Sequence, residues 1–222
     1  MPTRRRPPLT RDRVIDAAIE LADRDGLAAV SMRRLGQHLG VEAMSLYKHV
    51  ADKEDVLVGV ADRVAEGFAL PDPDVEWRMA LRASSLTAFG VLRRHPWAGP
   101  LLESTPRPGP ARLAYLDAVV GVLRRAGFTL PETAHAFGTL DSHLYGFTMQ
   151  VAAWPFDAED AAQVARSLVD QLPTDLYPNI VAMAEYAAET GRMPIDFEFG
   201  LDLILDGLER QLAVSRSKGR RR

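Results

Sequence analysis

Apolar side chains return every third or fourth residue along most of this chain, and the gaps between such stretches carry glycine, proline or aspartate. Thr10 stands before the first stretch. Ile15, Ala18, Ile19 and Ala22 share one face and predict a helix from Arg11 that stops at Gly26. Ser31 caps a second, short helix with Met32, Leu35 and Leu39 inside and Gly40 at its end. A third is expected over Ala43 to His49, burying Leu46 with Val50 beside it, and Asp52 caps a fourth that carries Val56, Leu57, Val60, Val64 and Phe68 towards Pro71 and Pro73. The aspartates and prolines at 71–74 mark a boundary. Beyond it the same period predicts helices near 75–95, 110–126, 131–154, 158–171, 176–190 and 196–214. Loops are expected at Pro96 to Pro110, Gly127 to Leu130, Pro155 to Phe156 and Gly191 to Pro194. No segment alternates as a half-buried strand does, so the expected class is all-α.

Charge changes the picture by its distribution. The 222 residues carry a net charge of -3, but residues 1–53 sum to +3, residues 54–214 to -11 and residues 215–222 to +5. A basic front and tail flanking an acidic middle suit a molecule whose ends face phosphate, and an architectural protein basic throughout is excluded. Residues 1–9 and 215–222 lack periodicity and are expected to be disordered basic tails. There is no cysteine, which fits a cytoplasmic location and excludes thiol chemistry. Pro7 and Pro8 follow Arg4 to Arg6 where a secretory signal would be apolar, and no apolar run reaches membrane-spanning length. The five histidines, at 38, 49, 95, 135 and 143, have no metal-ligand spacing, so neither metal nor cofactor is expected. Asp141, Glu185 and Asp202 offer acid–base groups to an all-helical enzyme, the remote alternative, but nothing pairs them with a nucleophile.

The informative stretch is Ser31 to Lys53. Two short helices meet at a turn where Gly40 can take positive φ, with Leu35, Leu39 and Leu46 bracing the pair, as a helix-turn-helix requires. The second helix would leave Ala43, Met44, Ser45, Tyr47, Lys48 and His49 on a free face beside the basic pair Arg33 and Arg34. An exposed aromatic next to cations, on a helix narrow enough for the major groove, suits base and phosphate contact.

Residues Thr10 to Phe68 resemble the N-terminal domain of the tetracycline-repressor (TetR) family, which carries the pattern L-Y-x-H-V, here Leu46, Tyr47, His49 and Val50, before Asp52 and Lys53. The resemblance implies a helix-turn-helix domain over 10–53, a connecting helix over 54–70 and an effector-binding, dimerising domain over 71–214. It implies DNA contacts from Ser31, Arg33, Arg34, Ala43, Met44, Ser45, Tyr47, Lys48, His49 and Lys53, with Tyr47 and Lys53 on phosphate. Ala43 stands where tetracycline-responsive members read a base with glutamine, which implies a different operator. Phe197, Glu198, Phe199, Gly200, Leu201, Leu203, Ile204, Gly207, Leu208 and Glu209, together with Trp77 and His95, are similar to the C-terminal region of those same members.

The resemblance further implies a homodimer formed by the helices near 131–154 and 196–214, with Phe137, Leu144, Leu201, Ile204 and Leu208 at its interface. The wide apolar stripe of the last helix independently favours burial on two sides. A small-molecule effector is implied, with Trp77, Phe89, Leu102, His143 and Phe147 as candidate contacts. Tetracycline with magnesium is not expected, because Ala69, Ser84 and Leu102 stand where that ligand and its metal meet histidine and asparagine, and leucine cannot bind a hard cation. The expected function is a transcriptional repressor released from operator DNA by that effector, the alternatives being an activator or a ligand-independent regulator of the same fold.

Overall fold

A computed structural model describes residues 8–154, 160–191 and 195–219, and every regular element among them is helical. α1 (Arg11–Asp25), α2 (Met32–Leu39), α3 (Ala43–Leu46) and α4 (Lys53–Ala65) form the first group. The expected caps close them: Thr10, Ser31 and Asp52 each accept from the backbone N–H three residues on. α5 (Trp77–Arg94), α6 (Ala98–Ser104), α7 (Pro110–Ala126), α8 (Leu130–Ala152), α9 (Ala161–Gln171), α10 (Pro178–Thr190) and α11 (Phe197–Gly219) follow. α8 begins with a complete capping box, in which Thr129 and Glu132 each hold the other's backbone N–H.

Three boundaries depart from the sequence reading. The loop expected from Pro96 to Pro110 contains α6, whose Leu101 and Leu102 are buried. Pro100 sits in its first turn, where no intrahelical N–H is needed. The third helix closes its regular α portion at Leu46, and Tyr47 to His49 continue as a turn. The tail expected to be disordered from 215 is helical through Gly219, because Ser215 donates to Glu132 and Arg216 Nη2 donates to the Ala126 carbonyl at 2.6 Å. Residues 1–7, with Arg4 to Arg6, lie outside the described residues, as do 155–159, 192–194 and 220–222.

One hydrophobic core runs from Val14 in α1 to Leu212 in α11 without a break at the aspartate and proline boundary. Phe68, just past α4, meets Tyr115 of α7 edge-on at 5.1 Å, which ties the two halves together. α9 and α10 stand apart from that core, and their buried Ala161, Ala165, Val181, Ala184 and Ala187 serve a hairpin packed mainly on itself.

Candidate nucleic-acid interface and interior cavity

The turn between α2 and α3 is built around Gly40, at φ 67° and ψ 39°, a left-handed conformation that costs a side-chain-bearing residue dearly. α3 is then held from beneath. Leu46 is wholly buried, Val50 nearly so, and both His49 N–H and Val50 N–H donate to the Leu46 carbonyl, at 2.8 and 3.1 Å. With those anchors facing inward, Met44 is left 75% exposed and Tyr47 46% exposed, with Lys48 beside them. Ala43, Ser45 and His49 are half-buried.

Most nearby cations are already paired. Arg11 grips Asp55 through both guanidinium nitrogens, at 2.6 and 2.7 Å, and this holds the Asp55 carboxyl below its ordinary value. Arg63 spans from α4 to Asp16 and Asp12 of α1, at 2.6 and 2.9 Å. Arg34 is engaged with Asp25, which Arg24 also holds, and Ser31 spends its hydroxyl on the Arg34 N–H. Those two expected DNA contacts therefore have structural work. Among the described residues Arg33, Lys48 and Lys53 have no hydrogen-bond or ion-pair partner for their side chains, and all three are exposed. The first four helices thus present an exposed tyrosine and methionine beside uncommitted cations, on a frame locked by bidentate ion pairs.

Two polar ties, neither anticipated from sequence, join this head to the rest. Gly109 precedes α7 and has no side chain to cap it; Asp62 of α4 supplies the cap, its Oδ1 accepting from Arg112 N–H at 3.0 Å. A Cβ at Gly109 would lie 2.2 Å from the Asp62 carboxyl carbon, so glycine is what admits this approach. Asp23, near the end of α1, takes His95 Nδ1 at 2.7 Å and the Trp97 indole N–H at 2.8 Å. Each tie pairs a side chain with a partner dozens of residues away, which leaves no local signal.

Behind α7 lies a small, partly open space walled by Leu81 and Ser85 of α5, Tyr115 and Val119 of α7, and Leu140 and Asp141 of α8. Its volume of about 20 Å³ is room for roughly one water. Asp141 makes no hydrogen bond or ion pair with the described residues, and burial, with Glu103 nearby, pushes its carboxyl up to about 6 despite the opposing pull of Arg112. Arg112 is buried, gives Nη2 to Glu103 at 3.2 Å, and leaves Nε without a partner. Burial likewise raises Tyr115 to about 12, although Ser84 moderates it, and raises Tyr145 further.

Comparison with known proteins fits this geometry. Residues 14–60 match the model for bacterial regulatory proteins of the tetR family, and residues 70–212 match the tetracyclin repressor-like C-terminal domain. The chain is a DNA-binding repressor of the TetR family. It is 34% identical over 229 residues to the HTH-type transcriptional repressor DrrR1 of Streptomyces coeruleorubidus, covering 96% of this chain and 82% of that protein. It is 28% identical over 207 residues to the class C tetracycline repressor protein of Escherichia coli, covering 91% of each. Among solved structures, ActR from Streptomyces coelicolor in complex with actinorhodin superposes with a TM-score of 0.75 at 26% identity, over 93% of this chain and 99% of that one.

Within the TetR-family core the other residues singled out from the sequence take the following places. Phe137 and Leu144, expected at a dimer interface, line the interior cavity, and Leu201 is 1% exposed within its own chain. Ile204 and Leu208 are half-buried; the most exposed apolar residues of α11 are Phe199, 67% exposed, and Leu203, 55% exposed. None of the five expected effector contacts lines this cavity. Phe89 and His143 stack on opposite sides of the same contact partner, Phe197, at 4.1 and 4.7 Å, with Phe147 edge-on to it. His143 donates Nε2–H to the Phe197 carbonyl at 3.0 Å. Trp77 packs edge-on against Phe128, and Leu102 is fully buried. Ser84 donates its hydroxyl to the Ala69 carbonyl at 2.6 Å. No helix among the described residues is long and apolar enough to cross a membrane.

Proposed function

We propose that this chain acts in the cytoplasm as a homodimer that seats the Met44–Tyr47–Lys48 surface of each protomer in the major groove of operator DNA. A small molecule entering between α5, α7 and α8 releases it. The observation that carries the reading is the contrast within one short turn, where buried Leu46 and Val50 fix a backbone whose tyrosine and lysine remain exposed. Arg33 and Lys53 flank that turn as phosphate contacts. Dimerisation is supported by the outward Phe199 and Leu203 of α11, apolar surface that a lone protomer would leave wet. Two half-sites then require two reading heads about one helical turn apart.

Release follows from the cavity's size. A volume of about 20 Å³ admits no drug-sized molecule, so an occupant must part α7 from α5 and α8. α7 carries its borrowed cap with it, and Asp62 draws on α4 behind the reading head. The complex of ActR with actinorhodin supports a small-molecule effector in this family. A coupling of about 1–3 kcal/mol, roughly 5- to 150-fold in operator affinity, is the usual size of such a switch. The test is fluorescence anisotropy with a duplex drawn from the promoter region of the chain's own gene, across a series of salt concentrations. Binding that tightens steeply at low salt and prefers this duplex to a scrambled one supports the proposal; binding indifferent to sequence, or none, ends it.

A further inference from the structure

We infer that the effector of this chain is a cationic, largely apolar amine whose positive charge is taken by the Asp141 carboxylate. The inference rests on the reading of the α5–α7–α8 cavity as the effector site. Its walls are mainly aliphatic and aromatic, interrupted by Ser85, Tyr115 and Asp141, and no lysine, arginine or histidine lines them. The cation nearest in effect, Arg112, gives its guanidinium to Glu103, while Asp141 has no ion pair among the described residues. The wall of the cavity therefore carries one carboxylate, Asp141, and no cation, while outside the lining Glu103 is answered by Arg112. An anion would meet repulsion from Asp141. A neutral guest would seal off a carboxylate with no partner, which is costly, or force it to take a proton. An ammonium supplies the missing charge and a donor, while the apolar remainder of the molecule replaces the contacts that α5, α7 and α8 give up as they part.

The groups facing Asp141 give the expected pH dependence. Glu103 of α6, Arg112 and Tyr115 of α7 and Tyr145 of α8 itself surround it, and of these influences burial and Glu103 raise its carboxyl to about 6. At pH 7.5 it is charged and attracts a cation. Below about pH 5 it is protonated and loses that preference.

Three planar tricyclic probes of similar size test this in the full-length, DNA-free protein: 9-aminoacridine as the cation, acridone as the neutral form and acridine-9-carboxylate as the anion. Binding is read by their fluorescence. The expected result at pH 7.5 is that 9-aminoacridine binds about tenfold or more tighter than acridone, the order of a hydrogen bond to a charged partner, with the anion weakest. Asp141→Asn, close to the native side chain in shape, should erase the difference, and lowering the pH of the unaltered protein through 6 should erase it too. The pH series keeps the test intact even where the variant folds poorly. Equal binding of cation and neutral probe overturns the inference, as does a preference that survives both Asp141→Asn and acid, or no binding by any probe. Operator release is measured separately. If 9-aminoacridine binds through Asp141 and operator affinity stays the same, the charge assignment holds and the release mechanism fails.

Discussion

The reading head and the helical body both withhold side chains from their own ion-pair networks, but on opposite sides of the protein surface. In the head, Arg11, Arg34 and Arg63 are matched to carboxylates, and the residues left over, Arg33, Lys48 and Lys53, stand in water. In the body two exterior arginines are matched: Arg78 holds Asp206 and Glu209, and Arg82 holds Glu198 at 2.7 Å and Asp202 at 2.8 Å, clamping α5 onto α11. Asp141, half-buried at the cavity wall, has no such partner among the described residues. A charge waiting in solvent costs the fold almost nothing, whereas one waiting in an apolar wall costs stability until something arrives to meet it. Readiness for DNA is therefore nearly free to this chain, and readiness for a ligand is not.

The sharpest way to break that contrast is to replace Tyr47 and Lys48 together by alanine. Operator binding should fall by roughly 100-fold, at about 1–3 kcal/mol per good contact, and the salt slope should flatten by about 0.9 for the lost phosphate contact. Thermal stability should hold to within about 0.5 kcal/mol, the usual range for exposed positions. A clear drop in melting temperature would show that the pair also supports the fold.

Asp141→Asn probes the other side. The carboxyl is raised from 3.8 to about 6, so the native state holds its proton more tightly than the unfolded chain does. Stability from this group is therefore complete below about pH 4 and is lost as the pH climbs through 6. The asparagine variant should melt higher than the parent at pH 7.5, by at most about 3 kcal/mol and nearer half that if water softens the site, and should match it at pH 4. Calorimetry at the two pH values decides it, and an equal melting temperature at pH 7.5 would mean that the carboxylate is already compensated. The smallest effect is expected at the seam between the regions. Asp62→Ala removes the cap of α7 at about 1 kcal/mol, while Asp62→Asn, which can still accept, should cost less. Urea denaturation of the two variants separates lost capping from lost charge.

The helices were largely legible in the sequence because their signals are local. Thr10, Ser31 and Asp52 as caps, Gly26 and Gly40 as stops and a 3.6-residue apolar period all lie within a few residues of what they specify. α6 was hidden by the prolines around it, since a first-turn proline reads in sequence like a loop proline. The exposure of Met44, Tyr47 and Lys48 was legible for the same local reason, although sequence could not tell that Arg34 would be taken by Asp25. The interior was much less so. α8 carries apolar residues on more than one side, and the cavity that Phe137 and Leu144 line is completed by α5 and α7, elements distant in sequence. Asp141 looked like a stray acid until Glu103 and Arg112 were placed around it.

The last turn of α11 carries a practical warning. Ser215 and Arg216 read as the start of a dispensable basic extension, yet one fastens the Glu132 capping box and the other closes the end of α7. A gene shortened before codon 215 would yield a protein frayed at both helices, and any resulting loss of repression would be misread as lost attraction for phosphate. Charge-neutral replacements beyond Arg216 separate the two causes; wholesale deletion confounds them.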